Sequence, residues 1–156
     1  MKKLIFFVIF NIVFIFHSCS DENNQIQCFP RIQINAQYNI GLPAYNSLLV
    51  PNGYVQLRPD GTNGSRGLII VNTGNNFNAY DRNAPHICPD KNTTLEVIDG
   101  IKIRCPEDGA EWMLLTGQPL NNATFGQPLY PYRVNQNSRW LIITNYRAPR
   151  KSLNKC

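Results

Sequence analysis

From Arg31 to Asn39 the chain alternates, with Ile32, Ile34, Ala36 and Tyr38 on one face and Arg31, Gln33, Asn35, Gln37 and Asn39 on the other. That period of two predicts a half-buried strand, which Gly41-Leu42-Pro43 ends. Leu48–Val50 is a short apolar run stopped by the turn at Pro51-Asn52-Gly53. Tyr54, Val55 and Leu57 predict a further strand, stopped by Pro59-Asp60-Gly61 and the glycine-rich Thr62–Gly67. Leu68-Ile69-Ile70-Val71 is continuously apolar and mostly β-branched, as expected of a strand covered on both faces. Phe77–Tyr80 leads into a loop rich in Pro, Asn and Asp, Asn83–Thr94. Leu95–Ile98 and Ile101–Arg104 flank Asp99-Gly100, the two-residue signal of a type I′ hairpin. Cys105-Pro106 and Gly109 then mark a tight loop, Trp112 and Leu114 alternate like a strand, and Thr116-Gly117 turns the chain back. After a polar link, Pro128–Val134 and Trp140–Thr144 close the chain. No window outside the first residues shows a helical period, so the fold class is expected to be all-β.

The first residues follow another pattern. Lys2-Lys3 precede Leu4–Phe16, apolar but for Asn11, a run too short to span a bilayer comfortably and suited to a secretion signal. It ends at Ser18-Cys19, followed by Ser20-Asp21-Glu22, which resembles a bacterial lipobox of the looser Bacteroidetes kind. The resemblance implies that Cys19 is lipidated and becomes the new N-terminus. The expected layout is a signal peptide over 1–18, a tether over 19–29, a β domain over 30–146 and a basic tail over 147–156. A lipid anchor places the domain on the cell envelope, at the outer membrane and in reach of the surface, without a transmembrane helix.

Charge changes little. The formal charge of +5 comes from 15 basic and 10 acidic residues, and two of the basic ones, Lys2 and Lys3, fall in the signal. The remaining basic residues are scattered except at the tail, and no aromatic-lined basic groove appears, so a nucleic-acid partner is not expected. The partners expected are the bilayer, through the acyl anchor, and an unidentified envelope protein. Export leaves Cys28, Cys88, Cys105 and Cys156 in an oxidising space, where thiols tend to pair. Four cysteines allow three connectivities, and sequence alone does not choose among them.

The loop and strand from Cys105 to Gly117 carry the most specific likeness. Cys105-Pro106-Glu107-Asp108-Gly109, an aromatic at Trp112 and Leu114-Leu115-Thr116-Gly117 resemble the second cluster loop of Rieske [2Fe–2S] domains. Ala79-Tyr80-Asp81 and Ala84-Pro85-His86 resemble the approach to the first loop, and Pro128-Leu129-Tyr130-Pro131-Tyr132-Arg133-Val134 resembles the segment that follows the cluster subdomain. The likeness implies a small antiparallel β-sandwich with a hairpin-based cluster-loop subdomain over 78–117. It also places the four ligand positions on Ala84, His86, Cys105 and Asp108. A Rieske centre takes two Cys on one iron and two His on the other. Ala84 has no donor and Asp108 offers a carboxylate, so each iron loses one ligand.

Three readings of the donors stay open at this point. Cys88 and Cys105 bond as a disulfide that ties the loops, leaving Cys28 and Cys156 as a second pair. In another reading His86, Cys88, Cys105 and Asp108 hold one metal ion, a permissible tetrahedral set at spacings that match no strong zinc pattern. In the third a [2Fe–2S] cluster survives, with Cys88 and Asp108 as substitute ligands. The first makes the chain a non-enzymatic envelope module without a cofactor. The third makes it an electron-transfer protein. Glu107, Asp108 and Glu111 could mimic a paired-carboxylate site, but solvated loop acids are the plainer expectation.

Overall fold

A computed structural model describes residues 29–30 and 32–145. The strands are β1 (Asn35–Asn39), β2 (Tyr54–Gln56), β3 (Leu68–Asn72), β4 (Phe77–Asp81), β5 (Glu96–Ile98), β6 (Lys102–Arg104), β7 (Glu111–Met113), β8 (Pro131–Asn137) and β9 (Trp140–Asn145). Every strand pairing is antiparallel. Six strands form one sheet in the order β1-β9-β8-β4-β3-β2, and β5-β6-β7 form a second. The fold is all-β.

Two cores follow from the alternation within β3. Leu68 and Ile70 join Ile34, Ala36, Leu141 and Ile143 on the inner face of the curled six-stranded sheet. Ile69 and Val71 point the other way, onto Ile103 and Trp112 of the small sheet. Both sets are fully buried, which is why the sequence there shows no polar alternation. The small sheet therefore sits on the back of β3 and β4 and is the expected hairpin subdomain. Its hairpin turns at Asp99 and Gly100 with φ of 53° and 67°, the left-handed pair that a type I′ turn requires.

Two departures are local. β1 starts at Asn35, four residues after the alternation begins, because the Asn145 side chain takes over the pairing beyond it. Its Oδ1 accepts from Ile34 N–H at 2.8 Å, and its Nδ2 donates to Ile32 C=O at 2.9 Å. The apolar run at Leu48–Val50 does not form a strand. Pro43 opens a 3-10 helix, Pro43–Leu49, in which only Leu48 is buried. Among the described residues no helix is long and apolar enough to cross a membrane; the signal, the tether, Cys19, Cys28, Cys156 and the basic tail lie outside them.

Candidate functional site

The ends of four strands bring two loops side by side. The first runs from β4 to β5, and the second joins β6 to β7. The first loop closes on itself through the bridge Asn83↔Thr94 and the Ala84 N–H to Thr93 C=O bond at 3.0 Å. Arg66 reaches over from the preceding glycine-rich stretch and clamps it. Its guanidinium donates to Thr94 Oγ1 at 2.6 Å, Pro89 C=O at 2.6 Å and Lys91 C=O at 3.1 Å. The second loop is a tight turn in which Cys105 N–H meets Ala110 C=O and Gly109 N–H meets Cys105 C=O, both at 2.9 Å. Gly109 has φ of 75°, a conformation that glycine adopts without the Cβ penalty. Trp112 anchors the loop from below, wholly buried, with Nε1–H donating to Gln127 C=O at 2.7 Å.

The loop tips meet through side chains. His86 Nε2 lies 2.6 Å from Asp108 Oδ2, and Asp108 Oδ1 accepts from Ala110 N–H at 3.1 Å. The Cys105 thiol, on the same loop, also favours the ionised form of this carboxylate. Burial works to raise the Asp108 carboxyl, but these three partners, His86 first, together hold it below its ordinary 3.8. An ionised Asp108 assigns the proton to His86 Nε2. The His86 side chain is fully buried, its ring 5.3 Å from Trp112 and 6.1 Å from Phe125. Its Nδ1 is buried without a partner.

Two of the four expected cluster positions, His86 and Asp108, are thus hydrogen-bonded to each other across the loops, and a third, Cys105, opens the loop that carries Asp108. The fourth, Ala84, is buried in the same apolar core as Cys105. The expected Cys88–Cys105 bond is not formed. Cys105 is a free, fully buried thiol, packed among apolar side chains, and burial pushes its pKa up to about 11. Cys88 is itself disulfide-bonded rather than a free thiol, so it is not a partner of Cys105. The Cys28–Cys156 pairing lies outside the described residues. The alternative metal set of His86, Cys88, Cys105 and Asp108 is also not assembled: among the described residues no three His, Cys, Asp or Glu side chains are arranged to hold a metal ion. The physical reason is that Asp108 is taken up as acceptor by the His86 imidazole and the Ala110 N–H, and Cys88 is bonded elsewhere.

The residues present do not fit a Rieske [2Fe–2S] centre. Such a centre needs two thiolates and two imidazoles. Here one thiol position is a buried methyl, the one thiol is protonated, and one imidazole position is a carboxylate already bonded to the other imidazole. The remaining acids form no paired-carboxylate site. Glu111 is held by Lys102 at 3.0 Å and Arg104 at 2.6 Å, and Glu107 faces Lys91 at 3.7 Å.

Sequence reasoning missed Arg66, which lies among glycines with no local signal of a clamp. It also missed Phe125, which sits 75% exposed above His86 with φ of 50°. A third omission is the buried network at the root of the first loop. There Tyr132 O–H donates to Asp81 Oδ2 at 2.5 Å, and Asn83 donates to Asp81 Oδ1 through N–H at 2.7 Å and Nδ2 at 3.1 Å. Asp81 belongs to the Ala-x-Asp likeness, and that was its only signal.

No family model matches the chain, and no curated protein matches it. Among solved structures it is similar to a chain of the complex of reduced oxygenase and oxidized ferredoxin in carbazole 1,9a-dioxygenase. The identity is 17% and the TM-score 0.46, over 77% of this chain and 99% of that one. That partial likeness assigns no function.

Proposed function

We propose that this chain is a lipid-anchored envelope protein built on a Rieske-like frame, in which side chains have taken over the work of the lost [2Fe–2S] cluster. Its role is structural or interactive rather than catalytic. The observation that carries this reading is the 2.6 Å contact between His86 and Asp108. It joins the two loops at the two positions where the family likeness calls for imidazoles. A cluster holds such loops together by covalent bonds. Here the imidazole–carboxylate pair supplies the link between the loops, and the Arg66 clamp holds the first loop in shape to make it. The buried Ala84 supports the same reading, since a methyl packed against Cys105 fills space where the likeness calls for a ligand.

The anchoring part of the proposal rests on the signal-like segment and Cys19. One preparation tests both parts. The protein should be recovered from the membrane fraction of a producing bacterium, colourless, and free of stoichiometric iron and acid-labile sulfide. A soluble protein would overturn the anchor. A red-brown protein with a reduced-state [2Fe–2S] EPR signal would overturn the loss of the cluster and favour electron transfer.

A further inference from the structure

β4 and β8 part company early. Their ladder comprises Ala79↔Tyr132 and Tyr80↔Pro131, preceded by the Asp81 N–H to Tyr130 C=O bond at 3.0 Å. Beyond Ala79 the two strands stay paired to their outer neighbours only. β4 continues along β3 to Phe77, and β8 continues along β9 to Asn137. Between them opens a cleft of about 370 Å³ lined by Phe77, Asn78, Tyr132, Arg133, Val134 and Gln136.

The backbone parity of this cleft follows from the bond at Asp81. Antiparallel strands present their peptide groups to alternate sides. Asp81 and Ala79 face β8, so Phe77 does too; Tyr130 and Tyr132 face β4, so Val134 and Gln136 do too. The N–H and C=O groups of Phe77, Val134 and Gln136 therefore face the cleft beyond the last ladder pair. Side chains add a second pattern. Phe77 and Val134 are half-buried against the inner core, while Arg133 is exposed on the opposite face of β8 and has no carboxylate partner among the described residues.

We infer that this cleft is a strand-addition site for an extended peptide of a partner protein, with apolar residues alternating with acidic ones. The backbone of the peptide bonds the open edge of β8 at Val134 and Gln136. One apolar side chain enters between Phe77 and Val134, and the acidic neighbour meets Arg133 across the face. Main-chain bonds supply affinity in this mode, and alternate side chains supply selectivity. At ~3.3 Å per residue the open edge takes a stretch of about three residues. The inference deepens the interaction role proposed above, but it rests on no cluster residue. Its failure would leave the iron analysis untouched, and the reverse also holds.

The test uses the full chain in a mild detergent and an acetylated, amidated hexapeptide of alternating Val and Glu. Amide hydrogen exchange is followed by NMR. With free peptide tenfold above its Kd, exchange at Val134 and Gln136 should slow about tenfold. A peptide N-methylated on alternate residues should not produce this. Val134→Pro removes the cleft-facing donor and leaves the β9 ladder, which uses residues of the other parity; it should abolish the protection. Arg133→Glu, at an exposed position, should reverse the preference from the Val/Glu peptide to a Val/Lys one. Absence of binding, protection confined to other amides, or unchanged binding by both variants would overturn the inference. Protection of the same amides by self-association of the chain, without peptide, would assign the cleft to a second copy and overturn it as well.

Discussion

Asp108→Ala isolates the contact on which the site depends. The substitution removes the acceptor of His86 Nε2–H, and the His86 side chain is fully buried. A buried donor left without a partner costs about 1–3 kcal/mol. Ala110 N–H, on a fully buried residue, loses its side-chain acceptor as well. The Asp108 side chain is 30% exposed, so part of the deficit is made good by solvent, and the expected cost is about 2 kcal/mol. With a urea slope of about 2 kcal/mol per molar, the unfolding midpoint should fall by about 1 M. Asp108→Asn keeps an acceptor oxygen but loses the charge, and should fall between the two. The pH dependence has a definite sign. The folded-state carboxyl is held below its ordinary 3.8, so its contribution is present above the unfolded pKa and is lost as pH falls through the folded one. The gap between wild type and Asp108→Ala should therefore be full at neutral pH and shrink below about pH 4. His86→Phe combined with Asp108→Ala should cost less than the sum of the two single changes. A midpoint for Asp108→Ala within about 0.2 M of wild type, about a fifth of the shift reasoned above, would refute the idea that this pair holds the loops.

Two further outcomes concern buried groups nearby. Burial raises the Asp81 carboxyl against the lowering effect of Tyr132 and Asn83, so its contribution is favourable in acid and is lost as pH rises through the folded pKa. Asp81→Asn should accordingly match or exceed wild-type stability at neutral pH and lose that advantage below about pH 4, whereas Tyr132→Phe should cost about 1–3 kcal/mol at neutral pH; urea unfolding at both pH values decides, and a strongly destabilised Asp81→Asn would contradict this. The Cys105 thiol, fully buried and pushed up to about 11, should react with iodoacetamide at pH 8 at least about a hundredfold more slowly in the native protein than in urea. Mass spectrometry of the tryptic peptide reads it, and rapid native labelling would refute the burial.

Much of the β architecture was legible because its signals are local. The Asp99-Gly100 turn, the apolar run of β3 and the alternation into Tyr38 each follow from neighbours in sequence. The 3-10 helix at Pro43–Leu49 was not legible, since a run of so few residues shows no period, and only the docking of Leu48 singles it out. The loop tips divided in the same way. Their position beside each other followed from the hairpin that delivers Cys105, and the missing donors at Ala84 and Asp108 were visible as residue types. That Cys105 stays a free thiol was not. Whether a cysteine in an exported chain pairs depends on where its sulfur points, and burial among Ala84, Ala110 and Trp112 has no signature in spacing. Arg66 likewise acts across more than twenty positions of sequence, on backbone carbonyls that no pattern marks.

The most direct measurement is visible absorbance and EPR after anaerobic iron–sulfide reconstitution of the Ala84→Cys, Asp108→His double variant beside wild type and each single variant. The double variant supplies both missing ligands and at the same time removes the carboxylate that occupies His86, so it alone should develop the spectrum of a [2Fe–2S] centre. Uptake of a cluster by wild type or by either single variant as readily as by the double variant would contradict the account, because the four positions assigned to the lost site would then be the wrong ones.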